Sequence, residues 1–153
     1  MSLTIFLDSG PLGFITNPKR TPESIEAADW VFDMEAAGHR FLVPAVADYE
    51  VRRELIRAGK ANGIAALNAF NTAQPGRFIS MTDSALLLGA NLWAQARNAG
   101  TPTAHPRDLD GDVLIAAQAL DTGLPLAEIV IATVNVSHIS LFAPAAFWSN
   151  IRP

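Results

Sequence analysis

The sequence predicts an α/β fold, a three-layer α/β/α sandwich around a central parallel sheet of four to five strands. Three observations carry this. Short apolar runs alternate with longer helix-periodic segments from one end to the other, which implies parallel pairing. Half of the 153 residues are hydrophobic, enough for one core in a single domain spanning 1–153. Polar and acidic residues follow the strands, at the carboxyl edge where sites form in such folds.

The elements follow in order. Residues 3–7, Leu3-Thr4-Ile5-Phe6-Leu7, read as a short buried strand ending on Asp8. Thr21-Pro22-Glu23 starts a helix: a capping hydroxyl, a proline in the first turn, then an acid favoured by the helix dipole. That helix carries Ile25, Ala28, Val31 and Phe32 and stops near Gly38 as a left-handed cap. Residues 41–43 form the second strand, and Pro44 opens a helix running through Tyr49 to Arg57. A short helix covers 62–70, and a third strand 77–80. Thr82-Asp83 caps a helix with Leu86, Leu87, Ala90, Trp93 and Ala96 along it, ending before Gly100. A polar loop with two prolines is expected over 101–107, a helix over 112–120 ended by Gly123, and a fourth strand over 129–133.

Composition narrows the chemistry. With no cysteine there is no disulfide, thiolate metal site or cysteine nucleophile. No apolar stretch reaches 18 residues, so no membrane partner is expected, and no secretory signal is seen, so a cytoplasmic location is expected. The net charge of −4 means that nucleic-acid binding must rest on a local basic patch, not on the global field.

Three acids fall where the strand and helix pattern suggests one pocket: Asp8 after the first strand, Glu50 in the segment after the second, and Asp112 opening the 112–120 helix. Crowded carboxylates repel each other and need a cation or shared protons, and their oxygens suit Mg2+ or Mn2+. A divalent ion so held polarises a phosphoryl oxygen and activates water, which points to phosphodiester hydrolysis. On this reading Asp8 and Asp112 are the primary metal ligands. Glu50 binds through water, or orients or deprotonates the attacking water, and Asp110 is an additional catalytic acid. Aspartates opening a helix are also ordinary caps, which is the bland account of Asp108. The stretch Glu50-Val51-Arg52-Arg53-Glu54-Leu55 also reads as an ion-paired helix surface.

Taken together, these residues resemble the PIN-domain nucleases, and among them the VapC-type toxins of bacterial toxin–antitoxin pairs. The resemblance rests on Phe6-Leu7-Asp8-Ser9, on Val43-Pro44-Ala45-Val46-Ala47-Asp48-Tyr49-Glu50-Val51, and above all on Asp112-Val113-Leu114-Ile115-Ala116-Ala117-Gln118-Ala119-Leu120. Thr133-Val134-Asn135 matches a later motif, but His138 stands where a fourth acid often lies. The turn at 123–128 is long for the family and reads as a local insertion. The resemblance implies a PIN-like fold and a Mg2+- or Mn2+-dependent endonuclease on single-stranded RNA. It also implies a homodimer, inhibited by a cognate antitoxin whose tail covers the acidic pocket.

For substrate binding, Arg52, Arg53, Arg57 and Lys60 cluster just past Glu50; Arg53 and Arg57, four apart, share a helix face able to guide a phosphate backbone. Lys19 and Arg20 form a second basic pair, while Arg107 offsets Asp108. Ser9 and Asn135 supply polar contacts beside the acids. Trp30, Trp93 and Trp148 sit in periodic apolar segments and read as core or interface more than as base-stacking platforms. Two triplets, Asp8-Ser9-Gly10 and Asp121-Thr122-Gly123, echo the aspartic proteases, but those enzymes are all-β. An EF-hand fails because its twelfth position is Ala119, and an Asp-x-Asp phosphatase motif fails at Gly10. The non-enzymatic rival is a PIN-like domain that has lost catalysis and serves as a binding or assembly module.

Overall fold

The structure, a computed structural model, describes residues 1–100 and 106–153; of residues 106–109 only the backbone is described. Five parallel strands form one sheet: β1 (Thr4–Leu7), β2 (Arg40–Pro44), β3 (Phe78–Ile79), β4 (Ile129–Thr133) and β5 (Ala145–Phe147), in the order β3-β2-β1-β4-β5. Helices α1 (Ser9–Thr16), α2 (Pro22–Ala36), α3 (Ala45–Arg57), α4 (Ala61–Thr72), α5 (Asp83–Asn98), α6 (Pro106–Asp121) and α7 (Val136–Ile139) flank it. This is the α/β architecture expected from the alternating pattern.

The central strand is the most apolar. Ile5, Phe6 and Leu7 of β1 are fully buried, because β2 and β4 cover both edges and helices cover both faces. Fully buried Ile131 and Ala132 of β4 and Val43 of β2 extend the core on either side. From α6, Ile115, Ala116 and Ala119 are also fully buried against it. No helix among the described residues is long and apolar enough to cross a membrane.

The capping signals act as expected. Thr21 Oγ1 accepts from the Ser24 N–H at 3.2 Å, and Thr82 Oγ1 from the Ala85 N–H at 3.0 Å. Gly38 ends α2 at φ 91°, a conformation that costs a Cβ-bearing residue free energy. Five features differ from expectation, one of them the four-residue α7, too short to show a helical period in the sequence. Helix α1 was not anticipated, since Gly10 and Pro11 look like breakers; Pro11 lies in the first turn, where its missing N–H is not needed. Strand β5 is only three residues long and carries no alternating pattern to announce it. Strand β3 keeps only two residues of the four expected. Helix α6 starts at Pro106, not at Asp112, so the last two residues of the expected 101–107 loop are helical. Residues 101–105 of that loop lie outside the described residues.

Polar links fix the helices around the sheet. Arg77 is buried; it pairs with Glu35, donates from Nη1 to the Phe70 carbonyl at 3.0 Å, and lies 4.2 Å from the Phe70 ring centroid. Burial pulls its pKa down, and the Glu35 charge opposes that. Between α3 and α4, buried Asp48 accepts from Arg52 Nε at 2.8 Å, from Arg52 Nη2 at 3.0 Å and from Asn71 Nδ2 at 2.8 Å. Arg52 Nη2 also reaches Asn68 Oδ1 at 2.8 Å. Arg52 therefore serves as a structural tie between two helices.

Candidate active site

In an open parallel sheet, the chain leaves the strands in opposite directions at the point where the strand order reverses, which opens a crevice at their carboxyl ends. Here that point lies between β1 and β4, and the two residues at its mouth are Asp8 and Thr133. Asp8 is buried, 5% exposed, and caps α1: its Oδ1 accepts from the Ser9 N–H at 2.7 Å. Its Oδ2 accepts from the Thr133 hydroxyl at 2.7 Å. Thr133 Oγ1 in turn accepts from the Asn135 N–H at 2.9 Å, which orients the hydroxyl proton toward Asp8. Burial pushes the Asp8 carboxyl above the ordinary carboxylate range; hydrogen bonds from the Thr133 hydroxyl and from the Ser9 N–H and hydroxyl oppose that rise.

The other acids reach the same edge by different routes. Asp112 is buried in the second turn of α6, with Oδ2 3.8 Å from His138 Nδ1 on α7, just beyond β4. Glu50, half-buried on α3, lays its carboxylate against the α6 backbone at Gly111. A chain of neighbours thus runs along the edge from Glu50 to Gly111 and Asp112, then His138, then the end of β4 and Asp8. Among the described residues, no three His, Asp or Glu side chains already stand close enough together to hold a metal ion. Asp110 is exposed and lines a shallow depression with Leu86, Trp93, Val113 and Leu114 between α5 and α6. Two positions along a helix turn a side chain by roughly 200°, so Asp110 and Asp112 leave α6 on opposing sides. The side chains of Arg107 and Asp108 lie outside the described residues.

The expected substrate contacts divide as follows. Ser9 stands at the start of α1 beside Asp8, and Asn135 immediately precedes α7. Arg53 is exposed, its guanidinium 5.2 Å from the Tyr49 ring centroid; Arg57 pairs with Glu54 at 2.8 Å, both well exposed. Lys19 and Lys60 meet at a groove of about 770 Å³ between α1 and the α3–α4 turn, which none of the four candidate carboxylates lines. Trp30 and Trp148 are core residues, whereas Trp93 is 37% exposed with the Arg97 guanidinium 5.3 Å from its ring.

Two contributors have roles that the sequence did not reveal. Thr133 belongs to a matched motif, but only its hydrogen bond reveals that it holds Asp8. Gly111 gave no signal, because the helix was expected to begin only at Asp112 and the structure places Gly111 inside it. A prediction follows for Thr133→Val, which keeps the shape and removes the hydroxyl. The Asp8 pKa should climb further, and stability should fall by about 1–3 kcal/mol, because the Asn135 N–H also loses its acceptor. Carbon-13 NMR titration of the Asp8 carboxyl, with thermal unfolding, checks this; an unmoved titration would discount the hydrogen bond.

No protein-family model and no curated protein matches the sequence. Solved structures do. A chain of FitAcB from Neisseria gonorrhoeae superposes with a TM-score of 0.66 at 15% identity, covering 96% of this chain and 99% of that one. A chain of VapBC2 from Rickettsia felis, bound to a DNA fragment from their promoter, gives 0.68 at 12% identity over 94% and 98%. For VapBC-1 from nontypeable Haemophilus influenzae the values are 0.66 and 16%, over 97% and 100%. At these identities the likeness is one of fold, and it spans the chains almost end to end: the protein has the PIN-like α/β fold seen in these complexes.

Proposed function

We propose that this protein is a Mg2+- or Mn2+-dependent endoribonuclease that hydrolyses single-stranded RNA, the toxin of a type II toxin–antitoxin pair. The observation that supports it most is the buried Asp8, held by Thr133 and Ser9 at the topological switch point of a PIN-like sheet, with Asp112 and Glu50 arriving at the same edge. The donors suit the ion in kind: hard carboxylate oxygens, of which Asp8 is buried enough to favour a bound cation. Mg2+ commonly takes one or two carboxylates and completes its shell with water and substrate phosphate, so a closed cage of three side chains is not required. Asp8 and Asp112 hold the ion, which when bound supplies Lewis-acid polarisation of the scissile phosphate.

The remaining residues bind and orient. Glu50 accepts a proton from the attacking water as that water's oxygen bonds to phosphorus and the ester P–O bond breaks; the departing ribose oxygen takes a proton from solvent water and leaves as a hydroxyl. Ser9 and Asn135 donate hydrogen bonds to phosphate oxygens, and Arg53 with Arg57 guides the flanking backbone. Asp110, on the opposing side of α6, adds negative charge only from a distance. A cognate antitoxin covers this edge, and the toxin is a homodimeric, cytoplasmic, single-domain protein.

The test is incubation of the purified chain with a mixed single-stranded RNA pool, with Mn2+, with Mg2+ and with EDTA. Cleavage is expected with either metal, none in EDTA, and a loss of at least ~100-fold in Asp112→Asn. Cleavage that survives both EDTA and this substitution would refute the assignment. His138 beside Asp112 favours one other reading, a PIN-like binding module without catalysis. A folded protein inert toward RNA but bound stably to a partner chain would select it.

A further inference from the structure

Four of the described helices carry a glycine so tightly packed that a methyl group would meet a neighbour. In α1, a Cβ on Gly10 would fall 3.1 Å from Val134 Cγ2; in α4, one on Gly63 would fall 2.7 Å from Leu55 Cδ2; in α5, one on Gly89 would fall 3.0 Å from Leu114 Cδ2. These three meet apolar side chains. The fourth, in α6, differs in kind. A Cβ on Gly111 would lie 3.1 Å from Glu50 Oε2, 3.4 Å from Oε1 and 3.5 Å from Cδ. The space next to this glycine is filled by a carboxylate.

Glycine is among the weakest helix formers, and Gly111 has no positive φ to require it. Local conformation therefore argues for alanine at this position, and the neighbour argues for glycine. The missing methyl group lets the Glu50 carboxylate settle onto the α6 backbone next to Asp112. Glu50 comes from α3, whose opposite side is fixed to α4 by Asp48, Arg52 and Asn71, so α3 has little freedom to retreat.

We propose that Gly111 is a positioning residue, keeping open the space in which the Glu50 carboxylate is set beside Asp112. The inference rests on the nuclease reading above and deepens it. It predicts an opposition between stability and activity. In Gly111→Ala the helix gains a better former, so Tm holds or rises. The carboxylate is displaced by a few tenths of an ångström or swings to another rotamer. Because Glu50 acts on the attacking water, kcat should fall at least tenfold while KM stays within a factor of two.

The experiment measures Mn2+-dependent RNA cleavage and Tm for wild type, G111A, E50D and G111A/E50D. Aspartate is one methylene shorter and leaves room for the added methyl, so G111A should cost nothing further in the E50D background. A tenfold or greater loss of kcat with Tm kept, confined to the Glu50 background, is the expected result. Unchanged kcat in G111A overturns the proposal. So does an equal loss in both backgrounds, or a loss matched by a lower Tm, since these describe helix damage. An inactive wild type overturns the nuclease reading and this inference with it. An active wild type with an unimpaired G111A overturns the inference alone.

Discussion

Asp8→Asn should abolish RNA cleavage, by about 10³-fold or more, and at the same time stabilise the metal-free protein at neutral pH. The first effect follows from its assigned place: asparagine keeps the shape but removes the charge that holds a divalent cation, and ~10³-fold corresponds to about 4 kcal/mol of lost transition-state stabilisation. The second follows from burial. A buried carboxylate whose pKa is raised binds its proton more tightly in the folded than in the unfolded chain. Its contribution to stability is therefore full below the unfolded value of about 3.9 and is lost as pH climbs through the elevated folded value. Asparagine has no such slope. The Tm difference between D8N and wild type should grow as pH rises from about 4 and level off once Asp8 is ionised in the fold. The plateau difference should favour D8N, as a higher Tm than wild type. Thermal unfolding in EDTA across that range decides it. A D8N protein less stable than wild type at pH 7 would show that the hydrogen bonds from Thr133 and Ser9 outweigh the cost of burial.

Trp30→Ala should be the most damaging single change to the fold, at about 3–5 kcal/mol. Trp30 is 7% exposed on α2, edge-on to Phe41 of β2 with ring centroids 5.0 Å apart and to Trp148 at 5.4 Å. Its indole Nε1 donates to the Ile151 carbonyl at 2.9 Å and ties the last turn of the chain to the helix layer. Alanine removes the rings' shared contact, leaves a cavity and orphans that carbonyl. Since domains of this kind are held by about 5–15 kcal/mol in all, the variant should be close to unfolding at 37 °C. Urea denaturation followed by circular dichroism measures it. Trp30→Phe, which keeps a ring and loses the hydrogen bond, should cost less, about 1–2 kcal/mol. A Trp30→Ala protein within 1 kcal/mol of wild type would mean that the aromatic cluster is dispensable.

Much of the fold is legible in the chain because its signals are local. The apolar run 5–7, the caps at Thr21 and Thr82, and the left-handed Gly38 each act through neighbours a few residues away. Where the local pattern was thin or misleading, elements were lost: the three-residue β5, and α1 with its Gly-Pro start. Asp8 was legible for the same reason, since it follows an apolar strand and caps the next helix, whereas Glu50 and Asp112 lie inside α3 and α6 and were legible from the residue patterns around them. Arrangement was not. That Asp8 takes its hydrogen bond from Thr133, 125 residues away, and that Glu50 rests on Gly111 depend on strand order and on the rotation of each helix. Read alone, the sequence determined which groups are available and on which edge of the sheet they emerge, because periodicity and capping are properties of adjacent residues. Only the tertiary structure decided which of those groups touch, because contact is set by packing between segments that the chain itself keeps far apart.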